Sequence, residues 1–336
     1  MKAVGYRRSL PITDPDSLLD LELPKPVPRG RDLLVAVHAV SVNPVDTKVR
    51  KRAAPPEGEV RILGWDASGV VEAVGPDVTW FRPGDRVFYA GTLNRQGTDA
   101  EFHLVDERIV GRKPSRLSHA ESAALPLTAI TAWELLFDRL GVAPGKRESG
   151  ALLITGGAGG VGSILIQLAR RLTGLTVIAT ASRPETEAWC RDLGAHHVID
   201  HSRPLTDELA AIGIPAVEYV ASLTATDQHY EAIVRALAPQ GRIAVIDDPK
   251  TLDAMPLKQK CASLAWEFMF ARSMFETPDM AEQHRLLNEV AAMVDDGLIR
   301  TTVGEALGRI NAANLRRAHA LLESGRARGK VVLEGF

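Results

Sequence analysis

The amino-acid sequence predicts an α/β protein in which a doubly wound parallel sheet accompanies a β-rich, barrel-like domain. Three observations predict it. Residues 1–120 hold short β-type runs broken by Gly, Pro and Asp. From about Ser122 the pattern changes to alternating helices and strands. One strand-to-helix junction carries the dense glycine run Ala151-Leu-Leu-Ile-Thr-Gly-Gly-Ala-Gly-Gly-Val-Gly-Ser163. At 336 residues the chain is long enough for two packed cores or one large one.

In the first region the β-type runs are residues 33–40, 67–74 and 85–89, separated by the turn signals Gly75-Pro76, Arg82-Pro-Gly-Asp85 and Pro55-Pro56. The second region reads as helix 129–140, strand 151–155, helix 160–174, strand 176–180, helix 184–194 and strand 197–200. It continues with strand 216–220, helix 227–238 and strand 242–246, and residues 262–270 form a further strand near the sheet edge. Helices around 279–296 and 311–324 precede a closing strand, Lys330-Val-Val-Leu333. The expected division is a barrel domain over 1–123, a nucleotide-binding domain over 124–270, and a segment 271–336 that returns to the first.

In the glycine run, a short apolar strand meets Gly157-Ala158-Gly159-Gly160-Val161-Gly162, and Val161, Ile164, Leu165, Leu168 and Leu172 follow at helical spacing. Strand, glycine turn and helix together are the context of a dinucleotide fingerprint. One glycine permits the tight turn, one lets the backbone approach a pyrophosphate, and one lets helix and strand pack closely. The phosphates then meet amides at a helix N-terminus, where the dipole favours negative charge. These six residues are the expected core of a Rossmann-type cofactor site.

The end of the next strand selects the cofactor. An NAD site places Asp or Glu there to bond the ribose 2′-OH, whereas an NADP site places arginine nearby. This chain has Ala181-Ser182-Arg183-Pro184, and its first acid, Glu185, arrives only in the following helix. Arg183 suits bidentate contact with a 2′-phosphate and Ser182 a further hydrogen bond, so NADPH is the expected cofactor. The alternative is that Arg183 is a solvated loop cation.

Composition excludes several classes. The chain is 45% hydrophobic and 24% charged with a formal net charge of −2, which gives no footprint for nucleic acid or an anionic membrane. No apolar run reaches the roughly 18 residues of a membrane span, and the N-terminus lacks the apolar core of a signal peptide. Cytoplasmic residence is therefore expected. Two cysteines, Cys190 and Cys261, can build neither a disulfide framework nor a four-cysteine zinc lobe.

The layout, together with Ser41-Val-Asn-Pro-Val-Asp46, Gly64-Trp-Asp-Ala-Ser-Gly69, Arg82-Pro-Gly-Asp-Arg-Val87, Leu127-Thr-Ala-Ile-Thr-Ala-Trp133 and Gly329-Lys-Val-Val-Leu333, resembles the medium-chain dehydrogenase/reductase superfamily across nearly the whole chain. Within it the chain looks most like the zinc-free quinone oxidoreductase branch, and residues 265–270 and 278–284 resemble the zinc-type alcohol dehydrogenase-like subgroup. The resemblance implies a GroES-like barrel for the first domain. Where zinc members carry Cys, His and Cys, this chain has Asn43, Trp65 and Ala124. A catalytic zinc needs three protein ligands, so no metal is expected. If residues 195–201 form one strand, His197 and His201 lie about 13 Å apart, too far to share an ion.

By that resemblance Asn43, Asp46, Trp65 and Thr128 border the cleft where nicotinamide meets substrate. The Asn43 amide could donate to a developing enolate or quinol oxygen, or else shape the turn before Pro44. Trp65 could stack on a flat acceptor or simply fill the volume of an absent metal site. Asp46 reads more as a structural acceptor than as a base. His201, Leu223, Ile246 and Lys330 resemble cofactor contacts; Lys330 alternatively is a strand-edge charge. The basic run Lys48, Arg50, Lys51 and Arg52 reads as a solvated loop with one possible anion contact.

Without a Lewis acid, the fitting substrates are quinones and conjugated enones or enals, in which negative charge delocalises as hydride arrives. The reading is an NADPH-dependent reductase of small-molecule quinones or α,β-unsaturated carbonyls. Its alternatives are an NADPH alcohol/aldehyde oxidoreductase and, in another class, an NADPH-binding structural or RNA-binding protein. A homodimer is expected, with the apolar strand over 262–270 supplying an edge that a two-fold partner continues.

Overall fold

The computed structural model describes residues 1–145 and 149–336. The chain forms two compact units, Met1–Ile130 with Phe270–Phe336, and Thr131–Met269. Residues 124–130 lie with the first unit, so the division falls later than the expected boundary after residue 123. The physical reason is local: the Leu127 amide donates to the buried Asp66 carboxylate (2.8 Å), which ties this segment to the barrel.

The first unit opens with strands β1 (Lys2–Tyr6), β2 (Leu19–Glu22) and β3 (Asp32–Val42), followed by helix α1 (Pro44–Arg52). Then come β4 (Arg61–Ile62), β5 (Ala67–Val74), β6 (Arg86–Tyr89), β7 (Phe102–Asp106), β8 (Val110–Arg112), α2 (His119–Ala123) and α3 (Pro126–Trp133). Against β5, β3 shifts register twice, between Leu34 and Val35 and between Val37 and Ala39. Such bulges bend a strand and let a sheet curl. The basic run is helical rather than a loop. Arg50 is fully buried, donating to the Leu10 carbonyl and to Glu323, with Nε 3.4 Å from His319 Nδ1. It is a tie between α1 and the C-terminal segment, not a solvated cation.

The second unit alternates β9 (Ala151–Ile154), α4 (Gly160–Leu172), β10 (Thr176–Thr180), α5 (Pro184–Asp192), β11 (His197–Ile199), α6 (Leu205–Ala211), β12 (Val217–Ser222), α7 (Thr226–Ala236), β13 (Leu237–Val245), α8 (Met255–Lys258) and β14 (Ser263–Trp266). The six strands are parallel, in the order β11-β10-β9-β12-β13-β14. Helices cover such a sheet on both faces, so its strands read as continuous apolar runs. Leu153, Ile178, Val220 and Ile243 from four adjacent strands are all buried in one core.

Two elements differ from expectation. The helix expected over 129–140 starts earlier, at Pro126, whose fixed φ suits a first turn. It then widens into a π-helical turn, Glu134–Arg139, closed by Leu140 N–H to the Leu135 carbonyl (2.9 Å). The strand expected over 262–270 stops at Trp266. After one last bond from Glu267 N–H to the Val245 carbonyl, Met269 and Phe270 turn inward, since burial of their side chains outweighs continued pairing at a sheet edge. Glu267 itself is buried, accepts from Arg139 Nε (2.9 Å) and faces Glu134. Burial, then the Glu134 charge, push its pKa to about 9.

The C-terminal segment returns to the first unit with α9 (Ala271–Met274), α10 (Glu282–Asp295), β15 (Val303–Ala306), α11 (Ala312–Glu323) and β16 (Lys330–Glu334). The large sheet there runs β15-β16-β3-β5-β6-β8, with β7 also on β3. Its pairs are antiparallel except β15 with β16. Among the described residues, no helix is long and apolar enough to cross a membrane.

Candidate cofactor and substrate sites

In the second unit the strand order reverses at β9: the chain proceeds outward through β10 and β11, then returns to place β12 on the other side. Ligands of open α/β sheets bind at this switch point, outside the carboxyl ends of the strands. The segment between β9 and α4 is the glycine run. Gly156 takes φ +68, and a Cβ there would sit 2.7 Å from Thr224 Cγ2. The residue that makes the tight turn is therefore Gly156, one place before the fingerprint. A Cβ on Gly162 would lie 2.6 Å from both the Gly156 and Gly157 carbonyl oxygens, so only glycine lets α4 start this close to the loop.

Ser163 N–H is the first to find a carbonyl four residues back, that of Gly159 (2.9 Å). The amides of Gly160, Val161 and Gly162 occupy the preceding first turn, where a helix offers them no internal acceptor. Gly159, at the N-cap, has no side chain to cap them. A thirteen-residue helix presenting three such amides suits a pyrophosphate. Ala158, in the middle of the loop, is buried.

The other predicted cofactor residues follow the carboxyl ends of neighbouring strands. Ser182 and Arg183 come after β10, His201 after β11, Leu223 after β12 and Ile246 after β13. Arg183 is the N-cap of α5, and its Nε lies 3.4 Å from Glu185 Oε1. His201 keeps its Nδ1 enclosed without a hydrogen-bond partner, its ring 6.0 Å from that of His229. Leu223 N–H donates to Thr155 Oγ1 (2.9 Å), and Ile246 N–H to the Ser222 carbonyl (3.2 Å). Asp247, beside Ile246, accepts from Thr226 N–H (2.9 Å) and from the Thr226 hydroxyl, which fixes the start of α7. The residues present thus fit a dinucleotide: backbone donors for phosphate, a cation past β10, and an orphaned imidazole nitrogen past β11.

In the first unit the predicted residues gather around a buried carboxylate that the sequence reading passed over, Asp66. Its Oδ2 accepts from Asn43 Nδ2 (2.8 Å) and Lys330 Nζ (2.9 Å), and its Oδ1 from Leu127 N–H (2.8 Å). Asn43 Nδ2 also donates to the Ser41 carbonyl (3.3 Å), and Asn43 Oδ1 accepts from Lys330. Lys330 completes its three donors on the Val42 carbonyl (3.3 Å). Asp46 accepts from Asn43 N–H (2.7 Å) and Gly64 N–H (2.9 Å). Burial raises the pKa of Asp66, and of Asp99 well above the carboxylate range; it lifts Asp46 to about 7.

This geometry bears on four of the expected site residues. Asn43 has both amide hydrogens engaged, leaving none for an enolate or quinol oxygen. Trp65 is 1% exposed, donates Nε1–H to the Thr92 carbonyl (3.1 Å) and meets Phe270 edge-on at 6.3 Å, so no ring face is open for an acceptor. Thr128 is buried with its hydroxyl on the Leu125 carbonyl (3.1 Å). Lys330 is neither a strand-edge charge nor left with a donor for a cofactor. The signal for Asp66 was present in the sequence: a carboxylate directly before the strand-like run over 67–74.

The Asn43, Trp65 and Ala124 positions do not make a zinc site. Asn43 offers only an amide oxygen already bonded to an ammonium, Trp65 offers no lone pair, and Ala124 has no ligating atom. Among the described residues no group of three or more His, Cys, Asp or Glu is placed to hold a metal ion.

Comparison with known proteins gives the following. Residues 29–116 match the family described as alcohol dehydrogenase GroES-like domain, and residues 193–333 the family described as zinc-binding dehydrogenase. The chain is 41% identical, over 99% of each chain, to a zinc-type alcohol dehydrogenase-like protein of Staphylococcus aureus strain MSSA476. It is 62% identical to a crystal structure from Rhizobium etli CFN 42 named as a candidate zinc-dependent alcohol dehydrogenase, with TM-score 0.97 over 100% of this chain and 98% of that one. It is 30% identical to a solved NAD-dependent alcohol dehydrogenase, with TM-score 0.83 over 99% of each chain.

Proposed function

This chain is an oxidoreductase of the medium-chain dehydrogenase/reductase superfamily, and on that premise we propose that it works without zinc, using NADPH to reduce quinones or α,β-unsaturated carbonyls. The observation that carries the reading is the Lys330 ammonium bonded to Asn43 Oδ1 and Asp66 Oδ2. A fixed cation among these oxygens repels a metal ion, and the family's zinc positions hold Asn43, Trp65 and Ala124. Ser182 and Arg183 past β10, with no acid at the strand end, support NADPH over NADH. The zinc in the names of relatives belongs to those proteins.

When bound, NADPH would supply a hydride to the acceptor, with solvent supplying the proton for the product oxygen. The chain's own residues bind, orient and exclude water. The first-turn amides of α4 would hold the pyrophosphate, Arg183 the 2′-phosphate and His201 Nδ1 the adenosine half. Leu223 and Ile246 would contact the nicotinamide half. Asn43, Asp46, Trp65 and Thr128 form a buried rigid frame behind the substrate region, and Lys330 and Asp66 lock that frame.

The test is NADPH oxidation in the presence of chelator, with 1,4-benzoquinone, 9,10-phenanthrenequinone, an enal and a simple aldehyde, each repeated with NADH. Chelator-resistant turnover of a quinone or enal with preference for NADPH is expected. Activity on the aldehyde alone, lost to chelator, replaces this reading with a zinc alcohol dehydrogenase. Tight NADPH binding without turnover replaces it with a binding protein. We also propose a homodimer formed along β14, the free edge of the parallel sheet, where Trp266 is 53% exposed. Sedimentation of Trp266→Lys as a monomer, against a wild-type dimer, tests it.

A further inference from the structure

We propose that Glu185 sets the cofactor selectivity of this chain by occupying Arg183 as an internal substitute for the 2′-phosphate. The inference rests on the NADPH reading and concerns the same corner of the site.

The turn between β10 and α5 is held in one shape. Pro184 fixes the first helical position, Arg183 N–H donates to Thr186 Oγ1 (3.3 Å), and the Thr186 hydroxyl donates back to the Arg183 carbonyl (2.8 Å). The first turn of α5 carries two acids, Glu185 and Glu187. They differ in partner. Glu187 Oε1 accepts from Arg191 Nε (3.0 Å) and from Arg191 NH2 (2.8 Å), one turn along the helix and away from the loop. Glu185 instead lies against Arg183, Oε1 to Nε 3.4 Å. Of the two, only Glu185 meets the cation that a 2′-phosphate requires.

The consequence is electrostatic. Both side chains are partly exposed, 39% for Arg183 and 55% for Glu185, so the pair is weak and breaks readily. Closed, it is a neutral patch that neither attracts a 2′-phosphate nor repels a 2′-hydroxyl. For NADPH to bind, the guanidinium must leave Glu185, and the dianionic phosphate then sits beside a carboxylate of like charge. Arg183 therefore selects for the phosphate and Glu185 moderates that selection. Glu185→Gln keeps the shape and a polar head at the helix start while removing the charge.

Direct binding of 2′,5′-ADP and of 5′-AMP, measured by calorimetry on the full chain, separates the two roles without using turnover. Arg183→Ala is expected to cost 2′,5′-ADP about tenfold relative to 5′-AMP, as loss of a charge-assisted contact does; an unchanged ratio overturns the NADPH reading and this inference with it. Given that loss, Glu185→Gln is expected to shift the ratio about fivefold towards 2′,5′-ADP, the scale of one screened like-charge contact. The shift should shrink in the Arg183→Ala background. No shift overturns the role of Glu185 while leaving that of Arg183. Weaker 5′-AMP binding by Glu185→Gln also overturns it, making Glu185 the acceptor for a ribose hydroxyl.

Discussion

The carboxyl edge of the parallel sheet and the polar cluster of the first unit are built on opposite principles. The first is made of backbone: helix-start amides, a glycine turn, and side chains placed by the ends of five strands. The second is made of buried side chains: Asp46 and Asp66 lie near a single ammonium, Lys330, and Asp99 lies near Asp46. A backbone site costs little when empty, because water satisfies exposed amides. A buried charge cluster has no such substitute, so each member depends on the others. Ligand chemistry is expected to be sensitive at the first region and folding at the second.

The sharpest way to break that contrast is Lys330→Met, which leaves the Asp66 carboxylate buried without its counter-ion. Unpairing a buried ion pair costs about 3–5 kcal/mol, so chemical denaturation should show a large loss, with part of it recovered in Asp66→Asn/Lys330→Met. Full stability in the single variant would mean the cluster is not the integral unit drawn here. Next in size is Gly162→Ala. Its added methyl meets backbone carbonyls at 2.6 Å and should cost about 1–3 kcal/mol while abolishing cofactor quenching of tryptophan fluorescence. Normal NADPH binding by that variant would refute the placement of the pyrophosphate at α4. Arg191→Ala, which breaks an exposed helix pair with Glu187, should change stability by under about 0.5 kcal/mol and serves as the control for surface charge.

A pH effect distinguishes the regions more finely. Asp46 has its folded pKa raised by burial from 3.8 to about 7, so the folded state holds a proton that the unfolded state has released. Its contribution is fully present below about pH 4 and is lost as pH rises through about 7. Thermal unfolding of the barrel unit should therefore move to lower temperature across that window. Asp46→Asn should flatten the slope, with Asp66 and Asp99 supplying what remains. An unchanged slope would place Asp46 in the ionised form throughout.

The same contrast explains what could be read from the sequence. The glycine run, the strands with their ends and the parallel class of the sheet were legible because they depend on local pattern: apolar runs, turn residues and helical spacing report the backbone directly. The barrel class was legible for the same reason. Asn43, Trp65 and Lys330 were picked out, with a structural alternative for each, yet their bonding partners were not, because a side chain's partner lies up to 287 residues away and leaves no local trace. Arg50 misled in the same manner, its basic neighbours suggesting solvent while Glu323 and the Leu10 carbonyl enclose it. Gly156 was overlooked because the fingerprint begins one residue later, although its φ of +68 makes the turn.

Strand β16 pairs with β3 and carries the ammonium that Asp66 needs, yet it lies at the far end of the chain. On the ribosome, the contiguous stretch Thr131–Met269 has every strand of its sheet before the final sixty-odd residues emerge. The barrel begun by the first 130 residues must wait for Lys330–Glu334 before its open edge and its naked carboxylate are both closed. Against the usual N-terminal-first order, the second unit is therefore expected to complete its fold before the first. A nascent chain stalled just short of Gly329 should present a protease-resistant middle and a protease-sensitive beginning.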